Sequence, residues 1–109
     1  MVRVEVKAKM RKEWPAVRGI NDENALLIFV DYRNKQETER PDFYILSSSD
    51  WQSYLREYIL NNPGLDRLED GYIPIWKGGV GYRGSGVTPE RVAKHREKWD
   101  KLFLKLGES

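Results

Sequence analysis

Val2-Arg3-Val4-Glu5-Val6-Lys7-Ala8-Lys9 alternates apolar and charged side chains with a period of two, the pattern of a β-strand with one face on a core and the other in water. Val2, Val4, Val6 and Ala8 are expected on the buried face. Arg3, Glu5, Lys7 and Lys9 are expected on the wet one. Such a strand needs neighbours, and Ala25 to Tyr32, almost wholly apolar and of strand length, reads as the central strand of a sheet.

Between these runs Trp14, Pro15 and the stretch from Gly19 to Asn24 interrupt the pattern. Arg33 to Arg40 is a polar connection, after which Pro41 and Asp42 open a third strand over Phe43 to Leu46, pairing as a hairpin with a long loop. Ser48 or Ser49 is suited to cap a helix whose stripe is Trp51, Tyr54, Leu55, Tyr58 and Ile59. Asn61, Asn62, Pro63 and Gly64 end it near Leu60. Leu65 to Asp70 shows no clear period, and Pro74 makes Tyr72 to Trp76 an edge strand or an extended loop. Lys77 to Gly86 holds five glycines in ten residues and reads as a loop. Thr88, Pro89 and Glu90 start a last helix, with Val92, His95, Trp99, Leu102 and Leu106 as its buried stripe and Gly107 beyond it. The order β-β-β-α-β-α is an α+β plan, a small mixed sheet of about three to four strands with two helices on one of its faces.

A chain of 109 residues supports one core, hence one domain over residues 1–109 with no linker. Charged residues make up 33% and aromatic ones 12%, too ordered a composition for a disordered chain, and no apolar run is long enough for a bilayer span. With no cysteine and no secretory leader pattern, the expected setting is the cytoplasm. Net charge is only +2, but it is polarised: Arg3, Lys7, Lys9, Arg11, Lys12 and Arg18 face only Glu5 and Glu13 in the first eighteen residues.

Glu5 and Lys7, two positions apart on one strand face, can both reach one phosphate. The carboxylate is a hard ligand for Mg²⁺ and the ammonium lies near the attacked phosphorus, a geometry suited to phosphodiester hydrolysis. The blander reading is two charges on a solvated strand. Lys9, Arg11, Lys12 and Arg18 around Trp14 form a basic patch with an aromatic platform for DNA or RNA, unless Trp14 is a lid on the core. Lys77 and Arg83 in the glycine-rich loop can touch a phosphate backbone, unless the loop is simply a connection. Gly79-x-Gly81-x-x-Gly84 has the letters of a dinucleotide fingerprint but no βαβ unit around it, so no nucleotide cofactor is expected. His95 reads as a packing residue and the tryptophans and tyrosines as core. No Ser-His-Asp or Cys-His set and no phosphate-loop lysine motif is present.

Val-Glu-Val-Lys-Ala-Lys, the tryptophan after the basic stretch, Ala-Leu-Leu-Ile-Phe-Val-Asp-Tyr, Pro-Asp-Phe-Tyr-Ile-Leu-Ser and Asp-Trp together resemble the second half of a PD-(D/E)XK, restriction endonuclease-like domain. The tail from Trp-Lys-Gly through Val-Thr-Pro-Glu to Glu-Lys-Trp-Asp-Lys resembles an uncharacterised bacterial group of that superfamily. The resemblance implies a truncated core of that fold, with Glu5 as metal ligand and Lys7 orienting water or steadying charge. It also implies an aspartate from a strand before Glu-x-Lys, whereas only Met1 to Val4 precede Glu5. Pro41-Asp42 has the letters of that other signature after Glu-x-Lys, leaving Asp42 as a strand-start residue or a displaced second acid. Two functions are therefore expected as alternatives: a nuclease-like nucleic-acid-binding domain with incomplete chemistry, or an inactive interaction domain forming a homodimer through its first strand.

Overall fold

Ala25–Asp31 is buried at every position, so the surrounding elements must cover two apolar faces and satisfy two strand edges. The computed structural model describes residues 2–9, 11–78 and 83–108. Its elements are β1 (Arg3–Lys9), β2 (Trp14–Val17), β3 (Ala25–Asp31), β4 (Asp42–Ser47), α1 (Ser48–Asn61), β5 (Leu65–Glu69), β6 (Ile73–Trp76), β7 (Ser85–Val87), a 3₁₀ helix (Pro89–His95) and α2 (Asp100–Glu108). The fold is a small mixed α+β structure. Its main sheet has the order β1-β3-β4, with β1 parallel and β4 antiparallel to β3. Two further pairs, β2 with β7 and β5 with β6, are antiparallel.

Helices cover both faces of this sheet, not one. Leu27 and Phe29, with Tyr44 and Leu46, share a core with Trp51, Tyr54, Leu55 and Tyr58 of α1. Leu26, Ile28, Val30 and Ile45 pack instead with Phe43, Trp99 and Leu102 on the α2 side. A strand apolar at every position leaves no face that can stay wet, which is why the last helix crosses to the other side.

The α1 cap lies one residue before the expected serines. Ser47 Oγ accepts from Asp50 N at 3.2 Å, and Ser47 N donates to the Asp50 carboxylate at 2.8 Å, closing a capping box. Trp51, Tyr54 and Tyr58 then stack in series, with ring centroids 5.1 and 5.7 Å apart. Gly19, at φ +89°, lies where a Cβ would collide with the Trp51 indole, so the segment after β2 can lie this close only with glycine there.

The single last helix expected from Thr88 onward is broken in two. Tyr44 bridges Arg96, Glu97 N donates to Phe43 O at 2.9 Å, and Glu97 takes φ +56°. The backbone there satisfies the outer edge of β4 instead of continuing a helix. Arg40 clamps Glu97 with its two terminal guanidinium nitrogens, one at 3.0 Å.

The segments left without an element also pair. Trp14 opposes Val87 and Val17 opposes Ser85, while Leu65–Glu69 forms a hairpin with the Pro74 strand. Neither short pair shows a periodic signal, because strands of three to five residues are too short to set one. Gly79 and Gly81 of the glycine-rich spacing lie outside the described residues. No helix among the described residues is long and apolar enough to cross a membrane.

Candidate nucleic-acid interface

Register decides where the charges of β1 point. Glu5 is level with Leu27, Lys7 with Phe29 and Lys9 with Asp31, and residues level across a parallel pair project to the same face. The charged set of β1 therefore lies on the α1 side. Val4, Val6 and Ala8 lie on the α2 side, where the valines were expected to be buried. They are not: Val4 is 45% and Val6 56% exposed. Trp99 and Leu102 cover β3 and β4, and β1 extends past that cover.

Glu5 and Lys7 stand side by side, the Lys7 ammonium 3.6 Å from the carboxylate, both part-exposed. Glu5 also lines a cleft of about 530 Å³ with Arg3, Arg18, Asp22 and Tyr72. Arg3 reaches Asp22 at 3.7 Å, and the other Asp22 oxygen accepts from Asn24 N at 2.8 Å. The cleft is thus mixed in sign, with Arg18 a cation of its wall that meets no acidic partner among the described residues. Arg3 and Asp22 escaped the sequence reading as site residues, because only the parallel pairing of β1 with β3 carries residue 22 back beside residue 3.

Lys9 leaves the candidate interface altogether. It is buried, donates to Asp31 at 3.0 Å and to Arg11 O at 2.6 Å, and lies 4.6 Å from the Trp14 ring centroid. Trp14 is 1% exposed, packs on Phe29 and donates to Val30 O at 3.0 Å. The expected aromatic platform is therefore core. A strand end that tucks under the sheet has no room for a solvated ammonium, so Lys9 pairs with the one carboxylate level with it. That pairing also relieves Asp31, which directly opposes Asp42 across β3 and β4.

Arg11 and Lys12 are exposed in the turn after β1. Lys77 is exposed beyond β6, and Arg83 is tied to Glu69 at 3.3 Å. Neither lines the cleft, so the structure does not bring the second basic pair to the first. Asp42 pairs with Arg96 at 2.8 Å and Lys35 at 3.6 Å, with all of β3 between it and β1. It is a strand-start residue and not a second acid beside Glu5.

His95 is buried as expected. Lys101 Nζ, a donor only, lies 3.0 Å from His95 Nδ1, and it also donates to Asp50 at 2.9 Å and Ile45 O at 2.9 Å. Nδ1 must then accept, which makes the ring neutral. Burial, followed by the Lys101 charge, holds the His95 pKa below its ordinary 6.5.

A second, smaller pocket of about 200 Å³ lies between α1 and the 3₁₀ helix, lined by Tyr54, Glu57, Tyr58 and Arg91 among others. The Tyr54 hydroxyl is buried there beside Arg91, and burial pushes its pKa up to about 12 against the opposing influence of that guanidinium.

A metal ion fits these residues poorly. Mg²⁺ takes roughly six oxygen ligands in near-octahedral geometry, whereas Glu5 is a single carboxylate already facing Lys7, and Asp22 is held by Arg3 and a backbone amide. No group of three or more His, Asp or Glu among the described residues is placed to hold a metal. No protein family, curated protein or solved structure matches the chain, so the resemblance to PD-(D/E)XK nucleases rests on the residues quoted for it.

Proposed function

We propose that the chain is a nuclease-like nucleic-acid-binding domain with a restriction endonuclease-like core, whose described residues do not complete a hydrolytic centre. The observation that carries the reading is the Glu5–Lys7 pair, part-exposed on an edge strand, whose Glu5 lines a cleft together with Arg3 and Arg18. Lys7 and Arg18 supply point charges for phosphates, with Arg11 and Lys12 on the adjoining turn. The chemistry these residues perform is binding and orientation: cations hold the phosphate backbone, and Glu5 sets the position of the Lys7 ammonium. A cytoplasmic setting accords with a chain free of cysteine.

Fluorescence anisotropy with labelled duplex DNA and single-stranded RNA, read across a salt series, tests this. Affinity should fall as salt rises. Lys7→Ala and Arg18→Ala should each weaken binding and reduce the slope of log affinity against log salt by about 1, one phosphate contact apiece. Glu5→Ala, which removes a like charge, should leave binding intact or tighten it. Absence of salt-sensitive binding to both probes would remove the reading.

A further inference from the structure

The two edges of the main sheet are treated differently. The outer edge of β4 is closed by the chain itself, through the Tyr44–Arg96 bridge and the bond from Glu97 N to Phe43 O. The outer edge of β1 pairs with no strand among the described residues, and its two valines are exposed beside it. An edge of unpaired amides and carbonyls flanked by apolar side chains is a template for another strand.

The direction of the backbone groups follows from the register. Arg3 N donates to Asn24 O and Lys9 O accepts from Tyr32 N, so Arg3, Glu5, Lys7 and Lys9 turn their backbone groups toward β3. In a parallel ladder the residues between them turn both groups the other way. Val4, Val6 and Ala8 therefore present the outward row of donors and acceptors.

We infer that two copies of this chain join through these edges, their β1 strands antiparallel about a two-fold axis at Val6. The strand's own sequence selects this occupant. Centred on Val6, the residue at the middle of Arg3–Lys9, the whole strand overlaps its copy. Val6 then exchanges both backbone bonds with the Val6 of the other copy, and Val4 does so with Ala8. On the opposite face Glu5 of each copy stands directly across from Lys7 of the other. That is a non-hydrogen-bonded position, where opposing Cα atoms are only about 4.5 Å apart and side chains meet most closely.

The neighbouring registers fail. Centring on Glu5 sets the two carboxylates against each other and Arg3 against Lys7. Centring on Lys7 opposes the two ammonium groups. Centring on Val4 keeps the charges matched but overlaps only the first half of the strand. In the Val6 register Arg3 does oppose Lys9, yet Arg3 is directed to Asp22 and Lys9 is buried on Asp31. The pairing joins two three-stranded sheets into one of six, and Val4, Val6 and Ala8 of both copies become one apolar stripe. It also gathers both Glu5–Lys7 pairs at the axis, the two Glu5 side chains lying diagonal to one another within reach of long side chains.

One strand pair is a small interface, so the dimer is reversible and dissociates on dilution. Sedimentation velocity of the full chain over a concentration series, without nucleic acid or metal, reads this independently of the binding reading above. Glu5→Lys alone and Lys7→Glu alone should each raise the dimer dissociation constant at least about tenfold, because like charges then face each other across the axis. Mixing the two variants should restore the wild-type value, since a doubly basic strand then meets a doubly acidic one. Val6→Pro removes an outward N–H without touching the β1–β3 ladder, and should abolish the dimer while circular dichroism stays native. A chain monomeric at every concentration, as expected if another protein's strand occupies the edge, overturns the inference. So does a dimer indifferent to all three changes.

Discussion

Lys9 shows how one residue changes role between a pattern and a fold. By alternation it belongs with Glu5 and Lys7 in water, yet it is buried against Asp31, Trp14 and the carbonyl of Arg11. Removing one member of a buried ion pair strands the other charge, which costs about 3–5 kcal/mol. Lys9→Met should therefore lower the free energy of unfolding by about that amount in urea titration. Under conditions where the variant remains folded, its affinity for nucleic acid should match wild type. A surface role for Lys9 would give the reverse, with weak binding and unchanged stability. Trp14 follows the same logic, since an indole whose N–H is spent on Val30 O inside the core offers no face to a base.

At the scale of elements, α2 is attached to the sheet through a small contact set. Trp99 and Leu102 supply its apolar contact, and Lys101 supplies its polar one by donating to Asp50, Ile45 O and His95. Protonating His95 removes the acceptor on Nδ1 and sets two cations against each other, with Asp50 at 4.0 Å as partial compensation. The His95 pKa is lowered in the fold from 6.5, so the unfolded chain binds the proton more readily. The associated stability is whole above 6.5 and is lost as pH falls from there toward the folded value. The melting temperature should hold steady above about pH 6.5 and drop as pH falls below it. His95→Gln should flatten that part of the profile. An unaltered profile would mean that Lys101 does not depend on the ring.

The molecule as a whole is closed by carboxylates at two joints. Arg40, bonded to Glu97 through its two terminal nitrogens, holds that carboxylate down to about 2 from 4.5. Burial raises Asp50, but the Ser47 amide and Lys101 outweigh it and bring the group below 3.8. Both contributions to stability are present above the ordinary carboxylate range and vanish as pH falls through it toward the folded values. A second loss of stability is therefore expected below about pH 4, distinct from the His95 step. Arg40→Gln should shrink it, as followed by circular dichroism in an acid titration. The central strand at Ala25–Asp31, the helix with its aromatic stripe at Trp51, Tyr54 and Tyr58, and the alternation that pairs Glu5 with Lys7 are all legible along the chain. Each is written in a local period that needs no distant residue to be read. It took the assembled fold to put helices on both sheet faces, Lys9 inside and Val6 outside, Arg3 and Asp22 beside Glu5, and to close the edge of β4 while leaving that of β1 open among the described residues. Those facts depend on strand order and register, which are set by contacts between residues far apart in the chain.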